Sequence, residues 1–161
     1  MREIVYKPIG IVHSPFKDPI GTPIQPSAAA GIGATVEIFQ EYEEGLKDLE
    51  GFSHIILLYH FHLSKPYKLI VKPFMDENYH GVFATRSPSR PNPIGISTVK
   101  LLKIEKNILY IQNVDVLDET PILDIKPYVP EFDINEDIKR GWLENNIHKL
   151  WCSRDDGRFS E

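Results

Sequence analysis

Hydrophobic and polar positions along the chain form short runs that are typical of β-strands. The segment from Ser53 to Leu63 is apolar at nearly every position, which predicts a central strand buried on both faces. Asn107 lies between two further runs and predicts a tight hairpin turn. The remaining runs predict strands over residues 4–12, 35–39, 67–71, 81–84, 96–105 and 108–117.

Helical signals are weaker and lie outside these runs. Residues 41–50 are rich in acidic side chains and predict a short helix that ends at Gly51. Residues 135–150 space apolar side chains at near-helical intervals, with Asn135 as a possible N-cap, and predict a second helix. Because most strands follow one another without long helices between them, the pattern favours a barrel or rolled mixed sheet over a doubly wound parallel sheet.

Composition narrows the class of protein. The chain has 161 residues, 42% hydrophobic and 25% charged, which is typical of one folded domain. No run reaches the roughly 18 apolar residues of a membrane span, and the first residues do not resemble a signal peptide. The single cysteine, Cys152, can form neither an internal disulfide nor a thiolate metal site. We therefore expect a cytoplasmic protein without structural zinc.

The net charge of −5, taken over the whole chain, argues against a nucleic-acid partner. Residues 62–106 differ from the rest, because they carry eight basic and three acidic residues, a balance of +5 that leaves −10 elsewhere. Such a basic region predicts a localised contact with an anion or an RNA. A solvated surface without a partner is the alternative interpretation.

Residues 83–97, with the sequence FATRSPSRPNPIGIS, hold the densest group of polar side chains. Three prolines stiffen the backbone around Arg86, Arg90 and Asn92, so a ligand that binds here would order little additional chain. Guanidinium groups match carboxylate or phosphate in shape, which predicts an anion-binding loop. Alternatively, the two arginines hydrogen-bond only to local carbonyl groups or pair with acidic residues downstream.

A second group of polar residues spans residues 113–128 and contains four carboxylates. These are Asp115, Asp118, Glu119 and Asp124. They could accept a cationic ligand, a hard metal ion or the arginines of residues 83–97. No EF-hand spacing is present, so we expect no metal site.

His60 and His62 share one face at the end of the central apolar run. Two such histidines could bind zinc or act in acid–base chemistry. The sequence suggests no third ligand, so we expect a strand-end histidine beside a pocket. The chain has no Gly-x-Gly-x-x-Gly or Walker sequence, so a nucleotide-like cofactor would bind outside those frameworks.

Two long strings in the chain resemble the TrmO family, also called TsaA-like. They are GVFATRSPSRPNPIGIS at residues 81–97 and DETPILDIKPY at residues 118–128, and the likeness extends over roughly residues 8–130. Members of this family are S-adenosylmethionine-dependent tRNA methyltransferases that act on N6 of adenosine 37, typically in its threonylcarbamoyl-modified form.

The resemblance also implies a fold. The family has a mainly β, single-sheeted β-barrel that is distinct from Rossmann-like methyltransferases. We therefore expect such a barrel with short peripheral helices over residues 1–130. A short helix and tail that do not form a separate domain are expected over residues 131–161. Family members look like homodimers with the cofactor near the subunit interface, and we expect the same here.

The resemblance further implies which residues bind the cofactor, S-adenosylmethionine. The expected contacts are Pro26, Ser27, Ala28, His62, Leu63, Arg86, Ile96, Gln112, Asn113, Val114 and Asp115. Arg86 would pair with the methionyl carboxylate, and carboxylates would offset the ammonium or sulfonium charge. Basic residues expected to contact tRNA are Lys65, Lys68, Lys72, Arg90 and Lys126.

Methyl transfer would require the protein mainly to align nitrogen, methyl carbon and sulfur. The base would stack on an aromatic side chain such as Phe83 or Tyr128. The N6 proton would pass to Asp118, Asp124 or Tyr128. Glu119 stands where the family usually has glycine, so we expect a turn there at some conformational cost.

Two alternative functions share this fold. Only about thirty residues follow Tyr128, where bacterial members often carry a further domain, and the chain is acidic overall. Both features would suit an S-adenosylmethionine-binding regulatory module. A methyltransferase for a small-molecule substrate is the second alternative. A hydrolase is disfavoured, because no serine or cysteine nucleophile motif accompanies the histidines.

Overall fold

A closed barrel of six antiparallel strands dominates the computed structural model, which describes residues 2–159. The described chain has eight strands, six of them in the barrel: β1 (Gly10–His13), β2 (Gly33–Ile38), β3 (His54–His60), β4 (Ile70–Val71), β5 (His80–Gly81), β6 (Ile94–Glu105), β7 (Ile108–Gln112) and β8 (Pro121–Pro127). Their order around the barrel is β1-β2-β7-β6-β3-β8, while β4 and β5 form a separate two-stranded sheet. This architecture confirms the predicted mainly β, single-sheeted barrel.

The core fills the inside of the barrel with alternate side chains from each strand. In β3, Ile55 and Leu57 are fully buried and Tyr59 is nearly so, whereas the residues between them are only partly buried. The expectation that this strand is buried on both faces is therefore wrong.

The helices are shorter than predicted. One four-residue α-helix, α1, spans Pro130–Asp133. The 3₁₀ helices span Pro26–Ala28, Gln40–Leu46, Leu49–Gly51, Val82–Ala84, Gly141–Asn145 and Ile147–Lys149. The predicted helix over residues 41–50 is interrupted by Asp48, which has a left-handed φ of 66°. The predicted helix over residues 135–150 is wrong, since residues 135–140 form no helix and only the two short 3₁₀ helices follow, the first beginning at Gly141, where φ is 57°.

Strand boundaries also differ from the sequence-based expectation. Residues 4–9 lie outside β1, and β7 ends at Gln112 because Asn113 turns the chain with a φ of 67°. Most of the run over residues 81–84 forms a 3₁₀ helix. Strand β8 was not predicted, because its two prolines and its carboxylate do not resemble an alternating strand.

The two ends of the barrel differ in the length of their connections. Strands β1, β3 and β7 end where β2, β6 and β8 begin. The connections 14–32, 61–93 and 113–120 all leave from this end, which we call the loop end. At the other end, a two-residue turn joins β6 to β7, which confirms the tight hairpin turn expected at Asn107. No helix in the described part of the chain is long and apolar enough to cross a membrane.

Candidate functional site

A cavity of about 550 Å³ lies at the loop end of the barrel. Its walls come from the end of β3, the beginning of β6 and the segment after β7. The loop residues 19–25, 74 and 83–92 complete them, together with Asp155 and Phe159. Phenylalanine, proline and aliphatic side chains provide the apolar surface, and polar groups face the same space. This combination is typical of a small-molecule site.

The proline-rich loop holds its two arginines in different ways. The Arg90 guanidinium donates hydrogen bonds to the carbonyl oxygens of Thr85 (3.1 Å) and Ser87 (3.4 Å), so it stiffens the loop itself. The Arg86 guanidinium instead donates to the side-chain oxygen of Gln25, 2.6 Å away on another cavity loop. Local carbonyl bonding, the alternative that the sequence left open, therefore describes Arg90. Both arginines line the cavity, and Arg86 is the one whose guanidinium reaches another cavity loop.

A chain of hydrogen bonds runs along the barrel side of the cavity. The Ser97 hydroxyl donates to a carboxylate oxygen of Asp115 at 2.7 Å, so it accepts the hydroxyl proton of Tyr59 at 3.0 Å. Burial raises the pKa of Asp115 to about 6, despite the opposing effects of the Ser97 hydrogen bond and of Arg86. Burial, with Asp115 nearby, also raises the pKa of Tyr59. Tyr59 therefore stays protonated and holds the chain in place.

His62 lines the cavity just beyond β3. Its Nδ1 atom lies 3.4 Å from the Thr120 hydroxyl. Burial, and secondarily His60, lower its pKa, so the ring is neutral at physiological pH. A neutral ring suits hydrogen bonding to an uncharged ligand atom.

The predicted cofactor residues fall into two sets. His62, Leu63, Arg86, Ile96 and Asp115 line the cavity. Pro26, Ser27 and Ala28 form a 3₁₀ turn directly after the cavity residue Gln25, while Gln112, Asn113 and Val114 lead from β7 to Asp115. The two flanking segments are linked, because the Gly31 N–H donates to the Asn113 side-chain oxygen at 3.0 Å. They border the cavity without lining it.

The three candidate proton acceptors lie outside the cavity. Asp118 accepts a hydrogen bond from the Ser14 N–H at 2.9 Å and pairs with Lys17, contacts that lower its pKa. Asp124 pairs with Lys126 at 2.8 Å on β8. Tyr128 packs against His54 at the end of the barrel opposite the loops. The identity of the proton acceptor stays a prediction.

One group of three potential metal ligands occurs among the described residues. His13, Asp118 and Glu119 bring ligand atoms within 4.8 Å of one another. Both carboxylate oxygens of Asp118 already have protein partners, so its main role here is to hold the loop after β1. Glu119 has a φ of 62°, which confirms the strained turn expected where the family usually has glycine.

The basic residues predicted to contact RNA differ in their surroundings. Lys65 and Lys68 are exposed on the loop after β3. Lys72 pairs with Glu77, and Lys126 pairs with Asp124 near the opposite end of the barrel. Arg90 is engaged by its own loop. Contact of all five with RNA stays a prediction.

Sequence reasoning missed several cavity residues. Tyr59 lines the cavity and bonds to the buried Ser97 because β3 and β6 pair with Tyr59 opposite Gly95, and this register is not visible in either segment alone. Gln25 lay in a long loop without a signal. Asp155 and Phe159 also line the cavity, although no motif marks residues 151–159.

Comparison with known proteins links the fold and the site to one family. The family model for the tRNA-methyltransferase O N-terminal domain matches residues 11–134. A probable S-adenosyl-L-methionine-binding protein from Pyrococcus abyssi is 64% identical over 156 residues, which cover 97% of this chain and 85% of the relative.

Two further relatives are longer than the chain. A Mus musculus protein named tRNA (adenine(37)-N6)-methyltransferase is 40% identical over 154 residues, which cover 91% of this chain but 35% of the relative. The crystal structure of TrmO from Pseudomonas aeruginosa superposes with a TM-score of 0.74 at 37% identity, and covers 88% of this chain and 63% of that one. The chain thus spans about a third of the mouse protein and under two thirds of the bacterial chain.

Proposed function

Since the chain belongs to the tRNA-methyltransferase O family, as the match over residues 11–134 shows, we propose that it is an S-adenosylmethionine-dependent methyltransferase acting on N6 of adenosine 37 in tRNA. The observation that carries this proposal is the cavity of about 550 Å³ at the loop end of the barrel. It brings together five residues expected to contact the cofactor, drawn from three separate parts of the chain.

The donor set of the cavity fits the cofactor. Arg86 provides a guanidinium for the methionyl carboxylate, and Asp115 provides a carboxylate for the ammonium or sulfonium group. The apolar residues Leu63 and Ile96 can cover the adenosine part, with the neutral ring of His62 as a hydrogen-bonding group. When bound, S-adenosylmethionine supplies an electrophilic methyl group on a sulfonium that is already a good leaving group.

The protein's own contribution to the reaction is mostly positional. The hydrogen-bonded chain of Tyr59, Ser97 and Asp115 fixes one wall, and Arg90 stiffens the loop that carries Arg86. A fixed pocket holds the two reactants in line and so reduces the entropy lost on reaching the transition state. Phe83, which is 75% exposed at the cavity, is available to stack on a base of the anticodon loop that neighbours the target.

The substrate that we propose is the threonylcarbamoyl form of adenosine 37. The test is mass spectrometry of tRNA nucleosides before and after incubation with protein and S-adenosylmethionine, with tRNA that carries or lacks the threonylcarbamoyl group. We expect a gain of one methyl group on the modified adenosine only. Methylation of both tRNAs would refute the proposed specificity, and methylation of neither would refute the enzymatic function.

Arg86→Ala tests the cofactor site directly. Loss of a charge-assisted hydrogen bond should weaken S-adenosylmethionine binding by about 10- to 150-fold, as measured by titration calorimetry. Arg140→Ala is the matched control, because Arg140 lies outside the cavity in an exposed ion pair with Glu144. Equal cofactor affinity in the two variants would contradict the assignment of Arg86.

We also propose that the protein acts as a homodimer with the cofactor site near the interface, as the family resemblance implies. Apolar side chains exposed around the cavity support this arrangement. Leu63 and Ile96 are each 47% exposed, and Phe83 is more exposed still. Sedimentation velocity at micromolar concentration should give twice the mass of the chain. A monomer at that concentration would refute the proposal.

A binding module without catalysis is the second candidate. It is favoured by the name of the Pyrococcus abyssi relative, which records S-adenosyl-L-methionine binding alone. In that case the cofactor should raise the melting temperature while tRNA neither binds at moderate salt nor gains methyl groups. Methyl transfer that does not respond to added tRNA would instead indicate a small-molecule substrate.

A further inference from the structure

Residues 151–159 complete the cavity from outside the matched family domain. Asp155 and Phe159 line the cavity, yet both lie beyond residues 11–134, which the family model covers. None of the cofactor contacts that the resemblance implies falls in this segment. Its contribution to the wall therefore needs a separate explanation.

Main-chain hydrogen bonds join this segment to the cavity loop of residues 19–25. The Gly21 N–H donates to the Asp155 carbonyl at 2.7 Å, and the Asp155 N–H donates to the Thr22 carbonyl at 2.9 Å. A β-bridge between Pro23 and Arg154 extends the pairing. The backbone at Asp155 is thus fixed against one wall.

Further contacts join the segment to the other two cavity loops. The Arg158 guanidinium donates to the Pro73 carbonyl at 2.7 Å and lies 5.1 Å from the ring centroid of Phe74. The Ser89 hydroxyl donates to the Phe159 carbonyl at 3.2 Å. Because residues 151–159 contact the connection 14–32 and two separate parts of the connection 61–93, the position of Phe159 is fixed.

Phe159 and Phe74 form an aromatic pair in the cavity wall. Their ring centroids are 5.0 Å apart at an interplanar angle of 87°, an edge-to-face arrangement. Both residues are only partly buried and both line the cavity, so apolar ring surface is available to a ligand. Flat heteroaromatic groups stack on such surfaces with little dependence on base identity.

The two reactants must share this cavity, because in-line transfer requires the target nitrogen to contact the methyl group. The expected cofactor contacts occupy the barrel wall and the arginine loop, at His62, Arg86 and Asp115. Phe74 and Phe159 come from other segments and are not needed for those contacts. On the basis of the proposed function, we infer that Phe159, paired with Phe74, is the surface on which the target adenine stacks.

The test compares Phe159→Ala, Phe159→Leu and Phe159→Tyr with the wild-type protein. Removing the ring should raise the KM for tRNA about 5- to 100-fold in the Ala and Leu variants. The dissociation constant for S-adenosylmethionine should stay within twofold of wild type. Tyr keeps the stacking surface and should restore the KM. Leu fills most of the volume beside Phe74, so the comparison holds even where the Ala variant unfolds.

Phe132→Ala is the matched control, because Phe132 is 81% exposed on α1 and lies outside the cavity. It should leave both constants unchanged. If the wild-type protein methylates tRNA and the Leu and Ala variants keep the same KM, the inference is overturned while the proposed function stands. A loss of cofactor affinity without a change in KM would also overturn it, since the wall would then serve the cofactor. A wild-type protein without transfer would overturn the proposed function as well.

Discussion

At the scale of single residues, burial controls the chemistry of the Asp115 carboxyl group. Its pKa is raised to about 6, while an ordinary aspartate titrates near 4. Between these two values the folded protein retains a proton that the unfolded chain releases. This group therefore makes the ligand-free protein less stable as the pH rises from about 4 to 6, and its penalty is constant above that range.

Asp115→Asn should remove that penalty. We expect the variant to melt at a higher temperature than wild type above pH 6.5, by the equivalent of up to about 3 kcal/mol, with little difference near pH 4. The measurement is the melting temperature from pH 4 to 8 by calorimetry. Asp118→Asn should show the opposite sign, because Lys17 and Ser14 lower the pKa of Asp118 and stabilise its charged form. A difference for Asp115→Asn that does not change with pH would contradict the buried carboxyl.

Sequence reasoning at this scale depends on the intrinsic chemistry of a residue and does not show what its neighbours in the fold change. Arg86 and Asp115 were expected in the site through motifs, and both line the cavity. Asp118 resembled Asp115 as a carboxylate in the same motif region. Only the folded chain shows that Lys17 and the Ser14 N–H, more than a hundred positions away, engage it.

At the scale of elements, the pairing of β3 with β6 sets the shape of the cavity wall. Gly95 lies directly opposite Tyr59, and the Tyr59 ring occupies the space that a side chain at position 95 would need. A Cβ atom on Gly95 would lie 2.2 Å from one ring carbon of Tyr59. Because Tyr59 is buried and bonded to Ser97, the ring has no room to move.

Gly95→Ala should therefore destabilise the protein by about 2–4 kcal/mol, which combines overpacking with loss of the Tyr59–Ser97 hydrogen bond. Denaturant titration measures this change. Gly45→Ala is the control, because a Cβ atom at Gly45 meets nothing within 4 Å, and it should change stability by less than about 1 kcal/mol. In the double variant with Tyr59→Leu, the cost of Gly95→Ala should shrink. Strict additivity of the two changes would contradict the clash.

The elements that sequence reasoning predicted well are those with strong alternation, such as β6 and β7. It failed for residues 135–150, because apolar spacing does not distinguish a helix from a series of turns whose individual apolar side chains contact the rest of the fold. There, Trp142 stacks on His80 at 4.6 Å and donates to the Ala84 carbonyl, contacts that hold a 3₁₀ segment against the cavity loops. Strand β8 was missed because its two prolines disfavour a strand in the sequence. Its pairing with β3, which outweighs them, is visible only in the fold.

At the scale of the whole molecule, charge is divided unevenly over an acidic chain. Residues 62–106 carry a balance of +5 although the net charge is −5. Ion pairs reduce the effective charge of this region, since Lys72 pairs with Glu77 and Lys103 with Glu105. Lys65 and Lys68 lie on the loop that lines the cavity at Leu63 and Ser64, and they form none of the ion pairs found among the described residues.

This distribution predicts a localised and salt-dependent contact with tRNA. Each phosphate contact contributes about 0.7–0.9 to the slope of log affinity against log salt concentration. Replacing both Lys65 and Lys68 with alanine should lower the slope by about 1.4–1.8 and leave S-adenosylmethionine binding unchanged. Fluorescence anisotropy of labelled tRNA, recorded at salt concentrations from about 50 to about 300 mM, measures this slope.

Lys126→Ala separates a local contact from a general effect of net charge. It removes the same unit of charge, but Asp124 already neutralises Lys126 at 2.8 Å and the residue lies on β8 near the end opposite the loops. Its slope should match that of wild type, although the sequence alone also placed it among the RNA contacts. Equal losses per lysine at positions 65, 68 and 126 would mean that overall charge, and not the loop end, attracts the RNA. A loss at Lys65 and Lys68 without one at Lys126 would place the anticodon loop beside the cavity, where the proposed methyl transfer takes place.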